Sequence, residues 1–373
     1  MMKHVYKAGC DAIATKLRPW AIGSDGAEGA VKSRFARLIG ADAADISIAP
    51  CTSHAISLIA ANAKRMGKVK DSSDAILIIQ NQMSSNVIPW QQLCKDTGAR
   101  LVVVPEPKED QTWTDAVLGV DWKGVRIAAL PPALWIDGSV VELAPRIRDK
   151  CESQGSWLVV DGTQTLGVVP ASVKSLRPHF LCASVHKWLH GAYGTCLLYT
   201  RPDLQDKLAA IDHHERNRVG ADKIILPFID GVGYEMRFQP RAARLQAGGR
   251  PNPILLPMLA ESLKQVLEWG VEPIREYIRS LTSRIHEGAP KMGYILPPKP
   301  WSPHIVGLRI PQHARCNAAD CVKFLKSKKI LVSERLGAIR ISPSVYNTVE
   351  EIDNLLVALQ SFADSMSFKP TRT

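Results

Sequence analysis

The sequence lacks any apolar run long enough to cross a membrane as a helix, and it contains no internal repeat or low-complexity tract. Its eight cysteines form no Cys-x-x-Cys pair and no Cys/His ligand spacing, so we expect neither a metal site nor a disulfide framework. Although the net charge is +11, no dense Lys/Arg block is interleaved with aromatic residues. We therefore expect a cytoplasmic protein with reduced thiols that binds neither nucleic acid nor membranes.

Short apolar runs alternate with helical patterns between about residues 27 and 200. This alternation predicts an α/β fold with a mostly parallel sheet flanked by helices on both faces. Ligands in such sheets bind beyond the carboxyl ends of the strands. The sequence therefore directs attention to the residues that follow the apolar runs.

The rest of the chain predicts a different organisation. Two long helical patterns, a Pro-rich stretch and several short strands indicate a smaller α+β domain over 256–373. The large domain is expected over 21–255. The segment 1–20 has no signal-peptide core, and we expect it to form a helix that packs with the small domain. An organelle-targeting segment remains the alternative for these first residues.

Two neighbouring strand ends carry the strongest chemical signal. Asp161 comes at the end of the apolar run WLVVD, and His186 and Lys187 follow the run PHFLCASV. A carboxylate there can pair with a protonated pyridine nitrogen, and a partly buried lysine can lose its proton and form an imine. Taken singly, Asp161 could be a helix cap and Lys187 a solvated charge. Their occurrence together, with Gln164 one turn later, favours a shared site.

The segments VDGTQTLG and SVHKWLHGAYG resemble the signature of the class V aminotransferase family of fold-type I pyridoxal phosphate enzymes. This family includes cysteine desulfurases, selenocysteine lyases, kynureninases and isopenicillin N epimerase-like proteins. NQMSSNVIPWQQLCKDTGARLVVVP and IRISPSVYNTVEEIDNLLVAL also match in order, so the resemblance covers nearly the whole chain. It implies a pyridoxal 5'-phosphate cofactor and a homodimer whose active sites lie near the interface.

The resemblance also implies roles for individual residues. Lys187 would form the Schiff base, Asp161 would pair with the pyridinium nitrogen, and Gln164 would contact the phenolic oxygen of the ring. The phosphate would be held by four residues, which are Thr52, Ser53, Ser184 and His186. Because Thr52 and Ser53 precede a helical pattern, its free amides would assist, although such a pair is also a common helix cap. His186 could instead be a packed histidine.

Three further residues complete the expected site. Arg340, in the strand AIRIS, would clamp the substrate carboxylate; a surface arginine is the alternative. Arg250, in AGGRPNP, stands where many relatives have threonine and would reach the phosphate of the neighbouring subunit. Trp135 would line the substrate pocket, and the alternative is a core position. Asp137 falls near the place where the family contacts the cofactor's phenolic oxygen.

Several departures from the family bear on the reaction. Met83 stands where desulfurases stack a histidine on the ring, and a methionine cannot carry a proton. The interval ILVSERLGAIR contains no cysteine, and Cys321 lies upstream in a helical pattern, so persulfide formation is not expected. Many relatives also have a short segment before the first helix. Either this protein does without that segment or the sequence is truncated.

We therefore expect a pyridoxal phosphate enzyme that acts on a small or sulfur-containing amino acid as a lyase or an aminotransferase. An isopenicillin N epimerase-like racemase or epimerase shares its first steps and remains an alternative. A catalytically weak binding or scaffold protein is the second alternative. It would explain Met83 and Arg250 but not the joint presence of Asp161, Lys187 and Arg340.

Overall fold

A computed structural model describes residues 2–18, 20, 27–108, 110–220, 233–249, 252–366 and 368. Its contacts divide the chain into two units, each of them assembled from separate stretches. The first unit comprises Met1–Pro105, Val117–Pro132 and Glu142–Trp269. The second comprises Glu106–Ala116, Ala133–Val141 and Gly270–Thr373.

In the described residues of the first unit, seven strands form one sheet in the order β1-β7-β6-β5-β4-β2-β3. The strands are β1 (Ile46–Ala49), β2 (Ala75–Ile79), β3 (Arg100–Val104), β4 (Val125–Leu130), β5 (Trp157–Asp161), β6 (Phe180–Ser184) and β7 (Cys196–Thr200). The pairs from β3 through β6 are parallel, whereas β7 runs antiparallel to both β6 and β1. The expected mostly parallel sheet is therefore confirmed.

Helices accompany these strands along the chain. They are α1 (Lys3–Thr15), α2 (Glu28–Ile39), α3 (Thr52–Arg65), α4 (Ile88–Thr97), α5 (Trp113–Gly119), α6 (Arg148–Ser153), α7 (Val173–Leu176), α8 (Pro202–Gln205) and α9 (Leu255–Trp269). The core of this unit is built from fully buried apolar strand residues together with the inner faces of α3 and α4. No helix in the described ranges is both long enough and apolar enough to span a bilayer.

The second unit has an antiparallel three-stranded sheet in the order β8-β10-β9. Its elements are α10 (Val271–Gly288), β8 (Val306–Arg309), α11 (Ala318–Ser327), β9 (Ser333–Arg335), β10 (Ala338–Ile341) and α12 (Val349–Ser365). Asn317 and Thr348 begin α11 and α12 with capping boxes, which satisfy amides that the first helical turn leaves free. These elements agree with the small α+β domain expected from the sequence.

The division between the units differs from the one expected at residue 255. α9 packs against α1 and α2, so it belongs with the large sheet, and the division falls between Trp269 and Gly270. For the same reason, the first residues group with the large unit and not with the small one. A helical pattern shows which face of a helix is apolar, but it does not show which neighbour covers that face.

One predicted helix is shorter than its pattern suggested. The sequence VELAPRIRDKCESQG was expected to be helical throughout, but α6 begins only at Arg148. Before it, Ala144 is extended (φ −118°, ψ 143°) and residues 143–147 form a widened turn. Pro145 explains the difference, because proline removes an amide donor and disfavours the helical conformation of the preceding residue.

Candidate active site

The carboxyl ends of β5 and β6 lie side by side, as the sequence predicts. The two strands are parallel neighbours, with Asp161 opposite Cys182. Asp161 is the last residue of β5 and is only 6% exposed. Its Oδ1 accepts a hydrogen bond from the Thr163 amide at 3.0 Å. The sheet therefore holds a buried carboxylate at its carboxyl edge with a fixed orientation.

Lys187 follows β6 in a tight turn that carries its charge toward this carboxylate. The turn is closed by the Gly191 amide, which donates to the Val185 carbonyl at 2.9 Å. The pKa of Asp161 is raised, chiefly by burial, and its hydrogen bonds from Thr163 and the positive charge of Lys187 oppose this rise. Asp161 and Lys187 thus influence each other electrostatically, as a shared site requires.

Three hydroxyl groups connect the strand ends to the start of α3. Thr52 Oγ1 lies 2.8 Å from Ser184 Oγ and 3.3 Å from Thr163 Oγ1. Thr163 Oγ1 in turn accepts a hydrogen bond from the Ser184 amide at 3.1 Å. Sequence reasoning did not identify Thr163 as a site residue. Its position two residues after an aspartate is typical of a side-chain-capped turn, and this signal could have identified it.

The first turn of α3 offers an anion-binding end to the same region. Cys51 occupies the N-cap position without a side-chain capping bond, and Thr52 and Ser53 lie in the first turn, where amides have no partner within the helix. Thr52 is buried with its hydroxyl in the network described above, whereas Ser53 is exposed. The Ser53 hydroxyl and the helix amides are consequently the accessible groups at this end.

His186 stacks on Tyr193, with ring centroids 4.1 Å apart and ring planes inclined by 18°. Burial, together with the charge of Lys187, lowers the pKa of His186. The imidazole is therefore neutral at physiological pH and can donate only one hydrogen bond. Tyr193 is 77% exposed and was not identified from the sequence. The sequence feature that could have identified Tyr193 is an aromatic residue between two nearby glycines in the segment GAYG.

Gln164 and Met83 occupy the remaining positions expected near the cofactor ring. Gln164 is buried directly after the Asp161–Thr163 turn. Met83 follows β2 and is 38% exposed. Its loop is held by Gln82, whose amide donates to the Ala129 carbonyl at 3.2 Å. Since β2 belongs to the same sheet as β5, Met83 also lies beyond a carboxyl strand end.

Within the second unit, Arg340 lies in the central strand β10 and is half-buried. Its Nη1 donates to Ser342 Oγ at 3.1 Å, and its Nε is buried without a hydrogen-bond partner. Burial, assisted by the charge of Arg335, lowers the pKa of Arg340 to about 10, so the guanidinium stays charged at neutral pH. A cation with an unused donor is suited to bind a carboxylate.

Trp135 and Asp137 lie in a turn of the same unit. Trp135 is half-buried, with the Arg335 guanidinium 5.7 Å from its ring centre. Asp137 is buried; its carboxylate accepts from the Ser139 amide at 2.9 Å, and its carbonyl accepts from the Gly307 amide at 3.0 Å. These bonds give Asp137 a structural role in fastening the turn to β8. Arg250 lies outside the described residues.

Cys321 is fully buried in α11, where burial raises the pKa of its thiol to about 12. The interval before Arg340 is a tight hairpin, in which Leu336 and Gly337 have positive φ angles and connect β9 to β10. This hairpin carries no cysteine. The expected packing role of Cys321 agrees with its burial in the helix.

The described residues of the first unit fit pyridoxal phosphate. A buried carboxylate held by Thr163 matches a protonated pyridine nitrogen, and a half-buried amine at the next strand end matches an aldehyde. The first turn of α3, with the Ser53 hydroxyl, matches a phosphate dianion. These are the groups that a charged, two-ended cofactor requires.

The chain is similar to a known family and to several known proteins. The family model for Aminotransferase class-V matches residues 26–355. An uncharacterized aminotransferase of Bacillus subtilis, YcbU, is 26% identical, with 86% of this chain and 80% of that protein covered. A probable cysteine desulfurase of Pyrococcus abyssi is also 26% identical, with 89% and 82% covered.

Among solved structures, a complex of the cystine C-S lyase C-DES with its product cysteine persulfide shares the fold. Its TM-score is 0.83, with 17% sequence identity and with 96% of this chain and 94% of that chain covered. The match to the family model extends across both units of the chain. The chain therefore belongs to the class V aminotransferase family, whose enzymes use pyridoxal phosphate as their cofactor.

Proposed function

We propose that the protein catalyses a lyase or aminotransferase reaction at an amino-acid substrate and that Lys187 carries the cofactor. The observation that carries this proposal is the placement of buried Asp161 and of Lys187 at the adjacent carboxyl ends of the parallel strands β5 and β6. When bound, pyridoxal phosphate supplies an electron-withdrawing ring that makes bonds at the substrate α-carbon labile.

Each residue of the first unit has a distinct task in this proposal. Asp161 accepts a hydrogen bond from the protonated ring nitrogen, and Thr163 holds the carboxylate in the required orientation. Lys187 attaches the cofactor and afterwards receives the substrate α-proton. Gln164 contacts the phenolic oxygen of the ring. Ser53, the first turn of α3 and His186 bind the phosphate, while Met83 packs on the ring.

In the second unit, Arg340 binds the substrate carboxylate and Trp135 lines the side-chain pocket. The buried, unpartnered Nε of Arg340 supports this role, because a carboxylate would satisfy both Nε and an Nη group in a bidentate pair. Carboxylate binding by Arg340 requires no cysteine nucleophile, and the β9–β10 hairpin that precedes Arg340 contains no cysteine. An elimination or an amino transfer would therefore proceed without persulfide formation on the protein.

The names of the relatives point to two types of reaction, amino transfer and cleavage of a carbon–sulfur bond. The Bacillus protein is called an aminotransferase, whereas the Pyrococcus protein is called a probable cysteine desulfurase and C-DES a C-S lyase. The cysteine-free hairpin favours elimination or amino transfer over desulfuration through a protein persulfide. A homodimer, with Arg250 directed to the partner's cofactor, is part of the proposal, and the mass measured in solution tests it.

The experiment that tests the proposal begins with the purified protein and added pyridoxal phosphate. We expect an absorbance band at about 410–430 nm, and borohydride treatment should fix the cofactor on Lys187, as peptide mapping would show. Lys187→Ala should lose the band and turnover, whereas Lys174→Ala, in exposed α7, should retain both. Equal turnover by Lys187→Ala and the parent would refute the assignment. Screening amino acids for release of keto acid, ammonia or sulfide then distinguishes the reactions.

A further inference from the structure

Arg218 is a buried arginine whose surroundings resemble a binding site more than a structural ion pair. The backbone around it is fixed, because the Val219 amide donates to the Arg237 carbonyl at 3.0 Å. Arg218 is only 5% exposed, and its Nη1 is buried without a hydrogen-bond partner. Since a guanidinium remains protonated in proteins, a positive charge is held here with an unused donor.

Among the described residues, the side chains that contact this guanidinium are an imidazole and a phenyl ring. Its central carbon lies 3.9 Å from the ring centre of Phe238, which covers one face of the guanidinium plane. Its Nη2 lies 2.8 Å from His213 Nδ1. Arginine has no acceptor atom, so His213 must accept at Nδ1 and carry its proton on Nε2. An imidazole that accepts from the guanidinium supplies no negative charge to compensate it.

The acidic residues before Arg218 in the described chain do not compensate its charge, because Glu215 is exposed and forms no ion pair with it and Asp212 is engaged elsewhere. Asp212 accepts a hydrogen bond from the Gly248 amide at 2.9 Å, and its carboxylate lies 3.7 Å from the ring of His54. Throughout the ranges that the structure describes, no carboxylate forms an ion pair with Arg218. An isolated buried charge is strongly unfavourable, so an oxyanion bound to the unused Nη1 donor would offset this cost.

A second arginine beside the same ring shows what a satisfied one looks like. Arg244 lies 5.5 Å from the ring centre of Phe238. Its guanidinium donates to the backbone carbonyls of Gln239, Asp206 and Leu208, and Nη2 lies 3.4 Å from the Asp206 carboxylate. Arg244 therefore needs no ligand, and it provides a matched control for Arg218.

We propose that Arg218, His213 and Phe238 form a binding site for the carboxylate or phosphate group of a small anionic ligand. The planar guanidinium suits an oxyanion, since its N–H groups can donate in parallel to two oxygens. The inference goes beyond the proposed function, because it involves neither Lys187 nor Arg340. The test of this anion site therefore does not depend on which reaction the cofactor supports.

The experiment uses the holoenzyme saturated with pyridoxal phosphate and two probes, succinate and inorganic phosphate, each compared with potassium chloride at matched ionic strength. At saturation, at least one probe should raise the melting temperature by roughly 2–4 °C more than chloride does. Calorimetric titration should give a saturable isotherm, and a preference for one probe would distinguish a carboxylate ligand from a phosphate ligand.

Variants then locate the binding. Arg218→Gln should weaken probe binding about tenfold or more, whereas Arg244→Gln should leave it unchanged. If Arg218→Gln does not fold, Arg218→Lys keeps the charge without the planar fork and should weaken binding in the same direction. Binding of neither probe to the parent would overturn the proposal, as would equal affinity in the parent and the Arg218 variant.

Discussion

The carboxyl edge of the large sheet and the β9–β10 hairpin of the second unit both hold a buried or half-buried charge, but they hold it differently. At the sheet edge, Asp161 accepts from Thr163, which is linked through hydroxyls to Thr52 and Ser184. In the hairpin, Arg340 has a single side-chain partner, Ser342, and an unused buried Nε.

The difference indicates what each region is prepared for. A network whose members satisfy one another keeps its geometry before any ligand arrives, which suits a cofactor that stays bound through many turnovers. A charged group with unused donors gains most when a ligand arrives, which suits a substrate that enters and leaves. The predictions below test this contrast, beginning with the largest expected effect.

Arg340→Gln should weaken substrate binding without weakening cofactor binding. We expect it to weaken amino-acid binding by about 2–4 kcal/mol, because a buried ion pair with the substrate carboxylate is lost. Cofactor affinity should stay within about twofold of the parent, since Arg340 belongs to the other unit. Titration of the holoenzyme with amino acids, followed by absorbance, measures the first quantity, and fluorescence quenching by added cofactor measures the second. Arg335→Gln, in neighbouring β9, is the control for charge alone. Unchanged amino-acid affinity would contradict the clamp.

Thr163→Val should have the opposite effect to Arg340→Gln, because it should weaken cofactor binding and leave amino-acid binding unchanged. The substitution keeps the shape but removes the hydroxyl that accepts from the Ser184 amide, leaving a partly buried donor without its partner. We expect a loss of about 1–3 kcal/mol in the free energy of unfolding, together with weaker cofactor binding. Urea unfolding and cofactor titration measure these effects.

Thr163→Ser, which retains the hydroxyl, should recover most of both losses. The amino-acid affinity of cofactor-saturated Thr163→Val should remain near that of the parent. If Thr163→Val lost amino-acid affinity as strongly as cofactor affinity, the assignment of cofactor binding to the sheet edge and of substrate binding to the hairpin would be contradicted.

The sequence was sufficient to locate the sheet edge but not its hydroxyl network. Runs such as WLVVD and FLCAS are apolar on both faces, which is typical of buried parallel strands, so Asp161 and Lys187 could be placed at strand ends in advance. The Thr52–Ser184 contact joins residues 132 positions apart, and no local pattern reports such a contact. The stacking of Tyr193 on His186 depends in the same way on the path of the turn.

Packing between helices was also beyond the sequence. The amphipathic pattern predicted α9 and α1, but only the structure shows that they cover each other, which moved the division between units from residue 255 to residue 270. The isolation of Arg218 is a similar case. A single arginine in HHERNRVG gives no sign that its neighbours are a histidine and a phenyl ring.

The other end of β6 offers the smallest and most specific test. His179, just before β6, is buried, and its Nδ1 accepts a hydrogen bond from the Leu158 amide of β5 at 3.0 Å. Burial, assisted by the charge of Arg201, lowers the pKa of His179 to about 3. In the unfolded chain the pKa of histidine is about 6.5. Between these two values the unfolded state binds a proton that the folded state excludes, so the folded state becomes less stable as the pH falls below about 6.5.

His179 should therefore contribute up to about 1.4 kcal/mol per pH unit to the loss of stability between about pH 6 and pH 4. Urea unfolding across this range measures the slope. In His179→Gln, which can still accept from the Leu158 amide through its side-chain oxygen, stability should be lower at pH 7 but should decline less steeply with acid. The exposed His4 provides a matched control, and His4→Gln should keep the parent slope. If the free energy of unfolding declined equally steeply with acid in the parent and in His179→Gln, the amino ends of β5 and β6 would accommodate a protonated histidine. In that case the contrast between this end of the two strands and the charged end at Asp161 would be contradicted.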